Sequence, residues 1–218
     1  MQKDFYEKKL YPLQDKVLQQ INRLNTNFYL TGGTALSRYY LNHRYSDDLD
    51  FFVNDDKRFS DHIQVIQDEL SRYFNVSVVI KEDRFTRYFI ESDQTQLKLE
   101  FINDVPFYLG NTNSFPLFSR VDNLLNILSN KITAIRDRDE PKDFADILFI
   151  CHHLEVNWEL IFTASQSKAA GIFPPVIAEI INNFRLEKLD ILNWIQIPDT
   201  NELKRMKAIL LHSIMGAI

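Results

Sequence analysis

The residues able to do chemistry cluster in two short stretches. Gly32-Gly33-Thr34-Ala35-Leu36 is followed by Arg44-Tyr45-Ser46-Asp47-Asp48-Leu49-Asp50-Phe51-Phe52. In a strand, residues i and i+2 share a face, so Asp48 and Asp50 project together while Leu49 and Phe51 turn inward. Carboxylates held side by side repel unless a cation neutralises them, and hard oxygen donors suit Mg²⁺. Asp47 turns away from the Asp48 face and is not a ligand in this reading. The glycine pair precedes a predicted helix, where backbone N–H groups attract phosphate and absent Cβ atoms allow close approach. A phosphate cradle beside paired carboxylates points to phosphoryl or nucleotidyl transfer. Two-metal chemistry needs a further acid. Glu100, in Leu97-Lys98-Leu99-Glu100-Phe101, alternates with apolar neighbours on a predicted strand and is the candidate.

A second set lies further along. Lys131 and Arg138 are seven apart and share a helix face; Asp143 and Asp146 are three apart on the next helix. If the two helices form a hairpin, these charges meet over the catalytic cleft. Asp143 or Asp146 then either holds Lys131 or Arg138 in place or contacts the nucleotide or acceptor. Each feature also has a plainer reading. Asp-x-Asp alone is a solvated strand edge, Gly-Gly a tight turn, Glu100 a surface residue of an exposed sheet face. Lys131 and Arg138 alone are solvated helix charges, and Asp143 alone is a first-turn charge favoured by the helix dipole. The combination at these spacings favours a site. Arg44 is either an ion-pair partner of the carboxylates or a phosphate contact. Cys151-His152-His153 diverge on a helix and lack the partners of a zinc site, so Cys151 reads as core. The aromatic residues read as packing, with Tyr39 and Tyr40 as candidate base-stacking exceptions.

These motifs carry a resemblance. Gly-Gly-Thr-Ala-Leu followed by Arg-x-Ser-x-Asp-Leu-Asp-Phe-Phe resembles the nucleotidyltransferase-fold toxins of the AbiEii/AbiGii type, within the DNA polymerase β-like superfamily. Lys131-Ile132-Thr133-Ala134-Ile135, then Arg138, then Pro141-Lys142-Asp143-Phe144-Ala145-Asp146 is similar to the second segment of that family. The resemblance implies that Asp48, Asp50 and Glu100 hold two Mg²⁺ ions, with Glu100 also positioning and deprotonating the attacking hydroxyl. Gly32, Gly33, Thr34 and Ser37 would hold the triphosphate of an NTP substrate. Lys131 would neutralise the departing pyrophosphate, and Arg138, Lys142, Asp143 and Asp146 would contact the nucleotide. It further implies a tRNA acceptor and a cognate antitoxin. Lys142 stands where the family often has Arg, a point charge in place of a bidentate fork. The Gly33-to-Asp48 interval is longer than in the minimal superfamily pattern. Two other readings are transfer to a small molecule such as an antibiotic, and a catalytically silent NTP-binding subunit.

The elements that must position these residues can be read from periodicity. Helices are expected over 5–24 (broken or restarted at Pro12), 34–41, 59–73 and 121–138, then from Pro141, and over 158–168, 175–184 and 201–214. Strands are expected over 28–31, 49–53, 76–80, 84–91 and 96–103. The last two form a hairpin through Ser92-Asp93-Gln94-Thr95. The fold class is therefore α+β: a nucleotidyltransferase-like mixed sheet flanked by helices, followed by a C-terminal helical bundle. A loosened pattern over 106–116, rich in Asn and Pro, sets the expected boundary between a catalytic domain, 1–115, and a helical domain completing the cleft, 116–218. The 218 residues carry a net charge of −5, which argues against a nonspecific nucleic-acid coat. With one cysteine there is no internal disulfide. No apolar run approaches the roughly 20 residues of a membrane span, and the N-terminus lacks a signal peptide's apolar stretch. A cytoplasmic protein with no membrane partner is expected.

Overall fold

The computed structural model describes residues 2–92 and 95–216. The chain divides into two compact units. The first comprises Met1–Ala35, Tyr45–Pro106 and Asn111–Asp122; the second comprises Leu36–Arg44, Phe107–Gly110 and Asn123–Ile218.

The first unit is built on a five-stranded sheet. Its strands are β1 (Tyr29–Thr31), β2 (Leu49–Asn54), β3 (Asn75–Lys81), β4 (Phe85–Ser92) and β5 (Thr95–Asp104), in the order β1-β2-β5-β4-β3. β2 and β5 run parallel, and the other neighbours are antiparallel, so the sheet is mixed. Alternation decides the two faces. Leu49, Phe51 and Val53 of β2, Leu97, Leu99 and Phe101 of β5, and Tyr88 and Ile90 of β4 are all buried. Phe51 stacks on Phe101 with centroids 5.1 Å apart. Burial of each such side chain contributes about 1.5–3 kcal/mol, which fixes register: a one-residue slip would send the whole row to the wrong face. The intervening residues, Asp50 on β2, Lys98 and Glu100 on β5 and Arg87 on β4, are half-buried on the other face. β4 and β5 pair up to Ser92 and Thr95; Asp93 and Gln94, half of the expected turn, lie outside the described residues.

The helices of this unit are α1 (Gln2–Phe5), α2 (Tyr11–Asn22) and α4 (Phe59–Leu70), with the start of α3 (Gly32–Leu36). Where a break was expected at Pro12, a π-helical turn, Tyr6–Leu10, joins α1 to α2, and Pro12 falls in the first turn of α2. Proline cannot donate to the preceding turn and crowds its carbonyl; the wider turn lets the chain stay helical.

The second unit is helical: α5 (Leu124–Asp137), α6 (Pro141–His153), α7 (Trp158–Gln166), α8 (Pro174–Asn183) and α9 (Thr200–Met215), with a 3₁₀ segment Leu186–Ile191 that periodicity did not indicate. α5 starts three residues later than expected. Asn123 caps it by accepting from the Asn126 N–H at 2.9 Å, and Val121 is taken instead by bridges to Leu30 and Asn113. Local capping here outweighs apolar spacing. The π turn Ser37–Leu41 ends at Asn42 with φ 49°, a conformation asparagine tolerates.

Candidate active site

Parallel pairing puts the starts of β2 and β5 at one end of the sheet. Asp50 is directly opposite Glu100, and Glu100 is in turn opposite Arg87 on β4. Asp48 sits just ahead of β2, level with Lys98. The Lys98 ammonium lies 2.9 Å from Asp48 Oδ2 and 3.5 Å from Glu100 Oε1. Arg87 reaches the same Glu100 oxygen at 2.5 and 2.7 Å. Asp48, Asp50 and Glu100 thus share one sheet face with two cations among them. Burial alone would depress the Lys98 ammonium, but Asp48 and then Glu100 and Asp50 outweigh it and hold its pKa above the usual value.

The glycine turn is built against this row. Gly32 has φ +69°, and a Cβ there would fall within contact distance of Asp50 Oδ2, so both backbone and space demand glycine. Gly33 is buried. Thr34 and Ser37 bond to backbone carbonyls of the chain that leads into β2. The Thr34 hydroxyl donates to the Asp48 carbonyl, the Ser37 hydroxyl donates to the Arg44 carbonyl, and both side chains are buried. Their hydroxyls thereby tie the Asp48 and Arg44 carbonyls in place. Other groups clamp the residues between them. Gln14, fully buried, donates to the carbonyls of Ser46 and Asp47, each at 3.1 Å. The Tyr6 hydroxyl donates to Asp47 Oδ1 at 2.6 Å, so Asp47 serves as an anchor. Next to Asp50 in register is Thr31, whose hydroxyl donates to the buried Asp122 at 2.6 Å.

The second motif is assembled within the helical unit. α5 and α6 bring Lys131 Nζ to 2.6 Å from Asp143 Oδ1 and 2.7 Å from Asp146 Oδ2. Arg138 donates to the other Asp143 oxygen at 2.7 Å. Asp146 also takes a two-pronged pair from Arg44, both contacts 2.8 Å, and lies 2.9 Å from His43 Nε2. Arg44 thus forms an ion pair, with Asp146 as the carboxylate. Asp143 and Asp146 are fully buried, and Lys131, Arg44 and His43 are nearly so. Burial pushes both carboxyls up, yet the cations win. Arg44 and Lys131 hold Asp146 well below the usual carboxylate range, and Lys131 with Arg138 lowers Asp143. Lys131 is held above its ordinary value by the two aspartates against its own desolvation. His43 is pushed down by burial, more than Asp146 raises it, so it is neutral near pH 7. Lys142 is exposed, Tyr39 and Tyr40 are half-buried, and Cys151 on α6 is half-buried with its thiol pushed up by burial.

The acidic row offers an all-oxygen donor set, which fits a hard divalent cation. Among the described residues, no group of three or more His, Cys, Asp and Glu stands at ligand spacing; Asp48 and Glu100 instead meet the Lys98 ammonium. Sequence reasoning missed Lys98, Arg87 and His43. Lys98 was legible, because the alternation that selects Glu100 places it on the same face; Arg87 requires the β4–β5 register. Among the described residues no helix is long and apolar enough to cross a membrane.

Comparison with known proteins bears on this geometry. The family model described as nucleotidyl transferase AbiEii toxin, type IV toxin–antitoxin system, matches residues 16–207. An uncharacterized Aquifex aeolicus protein is 30% identical over 164 residues, 70% of this chain and 71% of its own. JHP933 from Helicobacter pylori has the same fold, with a TM-score of 0.63 at 22% identity over 95% of this chain and 92% of its own. MenT4, a nucleotidyltransferase toxin from Mycobacterium tuberculosis, gives a TM-score of 0.64 at 15% identity over 94% of this chain and 82% of its own. At these identities the two structures speak for the fold: a mixed sheet flanked by helices.

Proposed function

The chain belongs to the AbiEii nucleotidyl transferase toxin family of type IV toxin–antitoxin systems, and from that premise we propose that it moves a nucleoside monophosphate from an NTP to a hydroxyl acceptor. One observation carries the reading. Asp50 and Glu100 face each other across paired strands, Asp48 adjoins them through Lys98, and Gly32 leaves its Cα bare against the Asp50 carboxylate.

Asp48, Asp50 and Glu100 would hold two Mg²⁺ ions. Bound there, the metal would supply Lewis-acid polarisation of the α-phosphate and charge neutralisation of the leaving group. Gly32 and Gly33 admit the triphosphate close to the backbone. Glu100 orients the acceptor hydroxyl and takes its proton. The hydroxyl oxygen bonds to the α-phosphorus, the bond to the α,β-bridging oxygen breaks, and pyrophosphate leaves with the electron pair. Thr34, Gln14 and Tyr6 act through the 45–48 segment, fixing Asp48 ahead of β2. Lys131, Arg138, Asp143 and Asp146 form a nucleotide-binding element whose charges are pre-set by their mutual pairing; Lys142, exposed beside them, is a further contact. Family resemblance supports the acceptor end of a tRNA as substrate, a cognate antitoxin as partner and a cytoplasmic setting.

The test is incubation with each α-labelled NTP and total RNA or small alcohols, followed by product identification. Label in tRNA is expected. Label in a small product alone would replace the acceptor, and NTP binding with no labelled product would reject the enzyme.

A further inference from the structure

Lys98 stands where the proposed metal ions must bind. Its ammonium is 2.9 Å from Asp48 Oδ2 and 3.5 Å from Glu100 Oε1, two of the three acids assigned to metal. The placement follows from the fold. Lys98 and Glu100 are two apart on β5 and share its half-buried face, and the parallel pairing with β2 brings Asp48 level with Lys98. Lys98 is not a solvated surface lysine: its side chain is 27% exposed, and Asp48 and Glu100 are 28% and 17% exposed. Three carboxylates on one face of adjoining strands repel one another, and the repulsion grows as they leave water. Arg87 offsets part of this on the Glu100 side, but Asp48 meets a cation through Lys98.

We propose that Lys98 is a resident counter-cation that holds the catalytic carboxylates together before metal arrives and that divalent metal must displace to bind. Lys98 is then a positioning residue that sets the affinity of the site. It keeps the acids in register when the site is empty, and it competes with metal so that the free ion alone binds weakly. The inference rests on the reading that Asp48, Asp50 and Glu100 are metal ligands.

The experiment titrates Mn²⁺ into the full, metal-stripped chain without nucleotide, following the free Mn²⁺ signal by electron paramagnetic resonance, and records melting with and without Mn²⁺. The proteins are wild type, K98M, K98Q, K98R and D50N. K98M is expected to bind Mn²⁺ about tenfold tighter than wild type, the loss of two part-exposed ion pairs. It should melt at a lower temperature without metal and recover more on adding it. K98R, which keeps the charge, should stay close to wild type, and D50N should bind weakly. K98Q gives the same readout if K98M does not fold. Equal affinity in wild type and in the neutral variants would overturn the role of Lys98 while leaving the metal reading intact. Absence of Mn²⁺ binding in wild type and the Lys98 variants alike would overturn the metal reading and this inference with it.

Discussion

Asp146→Asn is the sharpest structural perturbation available. The substitution keeps size and shape but removes one charge from a buried cluster. Asp146 accepts both prongs of Arg44 at 2.8 Å and lies 2.7 Å from Lys131 Nζ. Arg44 and Lys131 are 5% and 7% exposed, so neither can recover its hydration in place. An asparagine amide also presents a donor where Arg44 or Lys131 needs an acceptor. Breaking a buried pair from one side costs about 3–5 kcal/mol, chiefly the penalty on the charges left behind. That is about a fifth or more of the 5–15 kcal/mol typical of a folded domain. Asp143→Asn should cost less, about 2 kcal/mol, because its partner Arg138 has a side chain 54% exposed and can turn to water. Urea denaturation followed by tryptophan fluorescence reads this directly, since Trp158 and Trp194 both lie in the helical unit. A loss below about 1 kcal/mol for Asp146→Asn, or a larger loss for Asp143→Asn, would refute the reasoning that these charges depend on one another for burial.

Gly32→Ala should cost about 1–2 kcal/mol of stability, because φ +69° is costly with a Cβ. It should lower turnover by about a hundredfold, because that Cβ displaces the Asp50 carboxylate; unchanged turnover in a folded variant would show that Asp50 need not sit against Gly32. Stability should fall in two stages on acidification. His43 has a lowered folded pKa, so the unfolded chain takes up the proton first and stability declines as pH falls below about 6.5, by up to about 1.4 kcal/mol per pH unit. Asp146 and Asp143 are lowered as well, so their contribution is full above the ordinary carboxylate pKa and is lost as pH drops below about 4. His43→Gln should flatten the upper stage, with His62, also lowered by burial, supplying what remains; an unchanged pH profile in that variant would refute the assignment.

Much of the fold was legible in the sequence because β2 and β5 alternate strictly. The same alternation that buries Leu49, Phe51, Leu99 and Phe101 places Asp50 and Glu100 on the opposite face. What could not be read was register. Only the pairing of β5 with β2 on one side and β4 on the other shows that Glu100 meets Asp50 and Arg87. Spacing showed that Asp143 and Asp146 share a face of α6, but the expected shared face of Lys131 and Arg138 does not form: α5 ends at Asp137, and Arg138, extended at its C-cap, reaches Asp143 from outside the helix. Spacing could not show that Arg44, delivered by the left-handed turn at Asn42, would enter the same cluster and pair with Asp146. Nor could it show that the Thr34 and Ser37 hydroxyls would bond to the Asp48 and Arg44 carbonyls, because those partners are set by where the chain runs after the π turn. The π turns at Tyr6–Leu10 and Ser37–Leu41 leave no periodic signature at that length.

The most direct measurement of nucleotidyl transfer compares α-labelled with γ-labelled NTP in the presence of Mg²⁺ and total RNA, for wild type and for Asp50→Asn confirmed folded by circular dichroism. Label from the α position should enter an acceptor while the γ label leaves as pyrophosphate, and Asp50→Asn should lose at least about a hundredfold in rate. Transfer of the γ label, or undiminished transfer by Asp50→Asn, would contradict the assignment of the paired acids as the centre of the reaction.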